Sequence, residues 1–325
     1  MGRKNTVRDN EDLVLPTNWN TVDEFNKSIW DTLTTNFWVP ERVNMSGDLA
    51  SWRKLSEAEK TLVLRVFAGL TLLDTIQGTV GAVRLLQDAH SPFEEAVLAN
   101  IVFMEQVHAK SYSNIFSTLS NTEDINEAFE WSHENEFLRH KQRKILEAYD
   151  GDDPLKRKIA SVMLESGLFF SGFGLPFHLA GRGKLPNTAD MIRLILRDEA
   201  VHGYAIGYWF QLEFAKLSED EQMDYQMWAI DFATDLYENE EKYTRSLYDE
   251  AGLTDIILPY VRYNWSKAFQ NLGFDPIFPD TLRDIDPVLA ASMSQQENGD
   301  FFSGTTTYAI GKTEDVDGEI DEWDF

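Results

Sequence analysis

The stretches IVFMEQVHAKSY (residues 101–112) and LRDEAVHG (residues 196–203) decide how this chain reads. Each holds a Glu-x-x-His pair, Glu105 with His108 and Glu199 with His202, inside a run whose apolar residues recur at helical spacing. Residues three apart share one face of a helix, so each stretch presents a carboxylate beside an imidazole. Two such helices facing each other, joined by one carboxylate from each of two further helices, form a dinuclear metal site in a four-helix bundle. The spacing alone is a weak signal. A third copy, Glu130 with His133, lies among Glu134, Glu136, Arg139, His140 and Lys141, and reads as a solvated face.

The two missing carboxylates are found on preceding helices. Ser56 with Glu59 is a capping-box signature that opens a helix to about Gln87, with Asp74 set among Leu70, Leu72, Leu73 and Ile76. A carboxylate buried there without a partner would be costly, so Asp74 needs one. Asp153-Pro154 opens another helix, which carries Glu165 and runs into Gly167, Gly172, Gly174 and Pro176. The order "carboxylate helix, then Glu-x-x-His helix" thus occurs twice. Four carboxylates neutralise two dications, and without metal they would repel one another.

Working outward, Thr21 opens an amphipathic run to Phe37 that breaks at Trp38-Val39-Pro40, and Ser91-Pro92 starts the helix of Glu105. Asn121 or Thr122 starts a charged helix reaching about Tyr149, and Asn187 or Thr188 starts the helix of Glu199. Ser218 with Glu221 caps a helix to about Asp249, and a last one spans about Thr254 to Leu272. No stretch alternates as strands do. The expected fold is all-α, a ferritin-like bundle of long helices with a dinuclear metal site in its core. Residues 1–290 are expected to form that helical domain. Residues 291–325, rich in Gly, Ser, Asp and Glu with isolated aromatics, are expected to form a flexible C-terminal tail. Its end, Glu322-Trp323-Asp324-Phe325, suits a docking peptide better than a merely solubilising acidic tail.

The net charge of -26 argues against nucleic acid as a partner, since phosphate contacts need clustered Lys and Arg. The absence of cysteine excludes thiolate catalysis, disulfides and iron–sulfur clusters. Oxygen and imidazole ligands favour manganese or iron over copper or zinc. The N-terminus lacks a signal-peptide core, and the best apolar run, Leu168 to Ala180, is too short for a bilayer span. A cytoplasmic enzyme without membrane attachment is expected.

Tyr112 lies one turn beyond His108 on the same face. A phenol beside an oxidising metal pair can give up an electron and a proton, whereas an ordinary buried tyrosine hydrogen-bonds its hydroxyl and does nothing more. Spacing leaves these two equal. Beyond the residues already quoted, the chain carries Phe37-Trp38-Val39-Pro40-Glu41, Leu168 to Phe173, Ile195 to Gly203, Val261-Arg262-Tyr263-Asn264, Asn298 to Phe302 and the Trp-Asp-Phe end. With these it resembles, over almost its entire length, the small radical-generating subunit of ribonucleotide reductase, class Ib above all.

That resemblance implies roles. Asp74, Glu105 and His108 would bind one metal ion, and Glu165, Glu199 and His202 the other, with Glu105 and Glu199 able to bridge. The cofactor would be dinuclear manganese or iron. Tyr112 would be the stable radical. Trp38, Asp198 and His108 would begin a long-range electron and proton path, and Tyr308 would relay it to the large catalytic subunit, where ribonucleotides are reduced. The resemblance further implies a homodimer, tail docking on the large subunit, and a flavodoxin-like activase. Another carboxylate-bridged oxidase would keep the ligands but has no need of Tyr112, Trp38 or the tail. A metal-storage protein would also lack the tail.

Overall fold

The computed structural model describes residues 16–278 and 284–291. Nine helices of ten or more residues make up most of them: α1 (Glu24–Thr35), α2 (Glu57–Asp88), α3 (Pro92–Leu119), α4 (Thr122–Glu134), α5 (Glu136–Asp150), α6 (Pro154–Ala180), α7 (Pro186–Phe214), α8 (Glu219–Tyr248) and α9 (Thr254–Asn271). No strand occurs among the described residues. The all-α expectation therefore holds for them, whereas the tail from residue 292, with Tyr308, lies outside the described residues.

Most boundaries follow from caps. The Ser56–Glu59 and Ser218–Glu221 capping boxes are both formed, and Ser91 and Asp153 each cap a helix whose first residue is proline. Three boundaries differ from expectation. α1 begins at Glu24, capped by Asp23, rather than at Thr21, which lies in a short 3-10 turn, Trp19–Thr21. The charged run expected to be one helix from residue 121 to 149 is two, because Asn135 is extended (φ -60°, ψ 121°) and turns its side chain onto the amides of Phe137 and Leu138, 3.1 and 3.0 Å away. α7 begins at Pro186, with Leu185 in the left-handed region (φ 51°) at its cap. Asn187 and Thr188 lie inside it, their amides bonded to the buried carboxylate of Asp48 at 3.0 and 2.7 Å. The cap of α7 thus comes from a distant loop, which local sequence does not reveal.

α2, α3, α6 and α7 form the central bundle: α2 packs on α3, α6 on α7, α2 on α6, and α3 on α7. α1 lies across α3 and α7, α4 covers α2, and α5, α8 and α9 cover α6. At one close approach, a Cβ on Gly172 of α6 would fall 2.6 Å from the Leu70 side chain of α2, so only glycine fits. Both carboxylate helices contain a π-turn, Gln77–Gly81 in α2 and Leu164–Leu168 in α6. By length and apolarity α2 and α6 could each cross a membrane, which corrects the expectation that no run is long enough. Their most apolar stretches are instead 67% and 100% buried inside the bundle, and each carries a carboxylate of the central cluster.

Candidate metal centre

The four central helices bring together all six side chains singled out from the sequence. Asp74 comes from α2, Glu105 and His108 from α3, Glu165 from the π-turn of α6, and Glu199 and His202 from α7. None is more than 1% exposed. They fall into two groups whose candidate ligand atoms lie within 4.8 Å of one another: Asp74, Glu105, His108 and Glu199, and Glu105, Glu165, Glu199 and His202. Glu105 and Glu199 belong to both. His108 Nδ1 is 2.9 Å from Glu199 Oε1, 3.6 Å from Asp74 Oδ1 and 3.7 Å from Glu105 Oε2. His202 Nδ1 is 2.9 Å from Glu105 Oε1, 3.1 Å from Glu199 Oε2 and 3.8 Å from Glu165 Oε2.

Such a cluster is poorly satisfied by protein alone. Both oxygens of Asp74, with Glu105 Oε2 and Glu165 Oε2, are buried without a hydrogen bond, and Glu105 Oε1 and Glu199 Oε1 meet only the imidazoles at 2.9 Å. Buried polar atoms are rarely left so, and here they converge on one place. Burial pushes Asp74 up to about 8, with His108 opposing and Glu105 and Glu199 adding to the rise. Burial, then the charges of Glu105 and Glu199, hold Glu165 well above the usual carboxylate range. Burial disfavours charge on both imidazoles, but the carboxylates outweigh it and hold His108 and His202 well above the ordinary histidine value. Burial opposes charge on Glu199 too, yet His108 chiefly keeps it below its ordinary value. Protons stand in here for cations. Two dications would replace them, and an oxygen-rich set with two imidazoles suits manganese or iron.

Around the cluster, Asp198 Oδ2 accepts a hydrogen bond from Trp38 Nε1 at 2.7 Å and lies 3.2 Å from His108 Nε2. With Nδ1 of His108 turned to the cluster, Nε2 carries the proton and donates to Asp198. The Trp38 and His108 rings are 6.0 Å apart and nearly parallel at 21°. Tyr112 is fully buried, its ring stacked 5.9 Å from Phe67, and its hydroxyl makes no hydrogen bond. Burial, then the charges of Asp74, Glu199 and Glu105, push its pKa well above the ordinary tyrosine value. Glu130 and His133 are exposed on α4, as the solvated-face reading expects. One arrangement went unread in the sequence: Gln77 donates to Ser161 and Glu165 and accepts from Tyr149. Its only sequence signal is a polar residue one turn beyond Asp74.

Residues 17–287 match the family model described as "Ribonucleotide reductase, small chain". The chain belongs to the ribonucleotide reductase small-chain family. It is 53% identical over 318 residues to the ribonucleoside-diphosphate reductase subunit beta nrdF2 of Mycobacterium tuberculosis (strain ATCC 25618 / H37Rv), covering 97% of this chain and 98% of that one. Ribonucleoside-diphosphate reductase 2 subunit beta of Escherichia coli (strain K12) is 49% identical over 312 residues, 95% of this chain and 97% of that one. Among solved structures, the dimanganese(II)-NrdF of Streptococcus sanguinis is 49% identical, with a TM-score of 0.85 over 86% of this chain and all of that chain. These relatives place this ribonucleotide reductase small chain in the NrdF, or class Ib, branch and favour an oxidoreductase subunit over the storage and unrelated oxidase alternatives.

Proposed function

We propose that this chain generates and stores the radical of a ribonucleoside-diphosphate reductase at Tyr112, with Asp74, Glu105, His108, Glu165, Glu199 and His202 as ligands of two metal ions. The observation that carries the reading is the sharing of Glu105 and Glu199 between two buried clusters, with Tyr112 one turn beyond His108. When bound, the metal pair supplies the oxidising power that takes an electron from Tyr112. The phenol is fully buried, its ring stacked on Phe67, so solvent and reductants do not reach the radical.

The route outward begins at His108. Asp198 Oδ2 accepts from both the His108 imidazole and the Trp38 indole, and so joins them through one oxygen. A proton shared along these bonds lets Trp38 pass an electron without leaving an uncompensated charge in the core. Tyr308, beyond the described residues, would continue the path to the large catalytic subunit, on which the C-terminal segment docks. Nucleotide reduction belongs to that large subunit. Manganese is the favoured metal because the 49% identical relative is a dimanganese(II) protein, though iron accepts the same ligands. A homodimer, a flavodoxin-like activase and a cytoplasmic setting complete the reading.

Electron paramagnetic resonance tests it. After loading with manganese or iron and oxidation, the wild-type protein is expected to show a tyrosyl radical. Tyr112→Phe is expected to take up two ions and show none. The same radical signal in Tyr112→Phe as in the wild type would overturn the assignment.

A further inference from the structure

Four carboxylates would face the two ions, but their free oxygens are not equal. Asp74 leaves both oxygens without a hydrogen bond, whereas Glu165 leaves only Oε2. Its Oε1 accepts from Gln77 Nε2, and Gln77 Oε1 in turn accepts from Tyr149 Oη at 2.6 Å. Ser161 Oγ, 2.9 Å from Gln77 Nε2, holds the amide from a third side. The orientation of this amide follows from chemistry. Reversed, it would set its carbonyl oxygen against a carboxylate oxygen, so nitrogen faces Glu165 and oxygen faces the Tyr149 hydroxyl.

The backbone is shaped to seat this chain of groups. Gln77 opens the π-turn of α2, and Glu165 lies in the π-turn of α6. A Cβ on Gly81 would fall 2.2 Å from Gln77 Oε1 and 2.6 Å from the Tyr149 ring, so α2 is left open where tyrosine and glutamine meet. Gln77 and Tyr149 are both fully buried. Burial and the charge of Glu165 keep the Tyr149 phenol protonated, hence a donor.

We propose that Gln77 and Tyr149 are positioning residues for Glu165, which hold Oε1 away from the metal pair so that Oε2 alone is presented to the second ion. The two halves of the centre then differ by construction: Asp74 meets its ion with an unrestrained carboxylate, Glu165 with a clamped one. This inference rests on the metal-centre reading above.

The test uses the full-length protein, with manganese(II) as probe. Gln77→Met keeps the volume but removes the amide, and Tyr149→Phe removes a single hydroxyl and so guards against misfolding. Two manganese affinities are measured for each protein by titration, and crystals of the manganese-loaded wild type show which Glu165 oxygen binds. The expected result is that Gln77→Met weakens the second ion on the order of tenfold, Tyr149→Phe weakens it less, and the first ion is unchanged. In wild-type crystals Glu165 should bind through Oε2, with Gln77 Nε2 still on Oε1. Unchanged affinities, or equal weakening of both ions, would overturn the proposal, as would a Glu165 bound through both oxygens. A wild-type protein that binds no manganese pair would instead defeat the metal-centre reading itself.

Discussion

The Tyr112 hydroxyl is buried with no hydrogen bond, which makes its removal unusual among core mutations. Deleting a satisfied buried hydroxyl usually costs stability, but deleting an unsatisfied one removes a desolvated group with no partner. Tyr112→Phe is therefore expected to melt at or slightly above the wild-type temperature, a change of about 0–1 kcal/mol. A loss of several kcal/mol would mean that the hydroxyl has a partner. Titration of the cluster gives a second expectation at this scale. Asp74 rises from 3.8 to about 8 in the folded protein, so between those values the native state holds a proton that the unfolded chain has released. That contribution is fully present below about pH 4 and is lost as pH rises through about 8. His108 and His202, also raised, act in the same sense above neutrality, while the opposite effect of Glu199 is complete by about pH 6. The metal-free protein should lose thermal stability between about pH 6 and pH 8, and bound metal should abolish that slope. A metal-free melting temperature that climbs across this interval would contradict the electrostatic picture.

Among elements, sequence and structure agree where a boundary depends on neighbouring residues and part where it depends on distant ones. The capping boxes at Ser56 and Ser218 are local hydrogen-bond devices and were legible. The break at Asn135 is local too, but helix-favouring charged residues flank it on both sides and hide it. Asp48 capping α7 from some 140 positions away could not be read at all. The π-turns were hidden for another reason. One extra residue in a turn shifts the helical phase without disturbing the apolar composition around it, and both turns lie in long, predominantly apolar helices. Yet Gly78 marks the α2 turn in hindsight. A Cβ there would fall 2.8 Å from Glu105 Cβ, which is tied to the backbone of α3, and 2.7 Å from the movable end of Gln106. Gly78→Ala should therefore push α2 from α3, cost about 1–3 kcal/mol and weaken metal binding through Glu105. Calorimetry with a metal titration checks this, and an unaltered Gly78→Ala protein would show that the approach is looser than described.

At the scale of the whole molecule, the six cluster residues were legible because two arguments met. Spacing put Glu105 with His108 and Glu199 with His202 on helix faces, and the cost of burying a lone carboxylate pointed to Asp74 and Glu165. Neither argument reaches Gln77 or Tyr149, whose meeting depends on how α2, α5 and α6 pack. The pairing of helices also decides that Glu105 and Glu199, rather than Asp74 and Glu165, stand between the two groups. Anomalous diffraction from crystals of the manganese-loaded protein examines that arrangement directly. Two peaks per chain are expected, one beside Asp74 and His108 and one beside Glu165 and His202, with Glu105 and Glu199 touching both. A single peak, or peaks away from these six side chains, would contradict the assignment of a dinuclear centre.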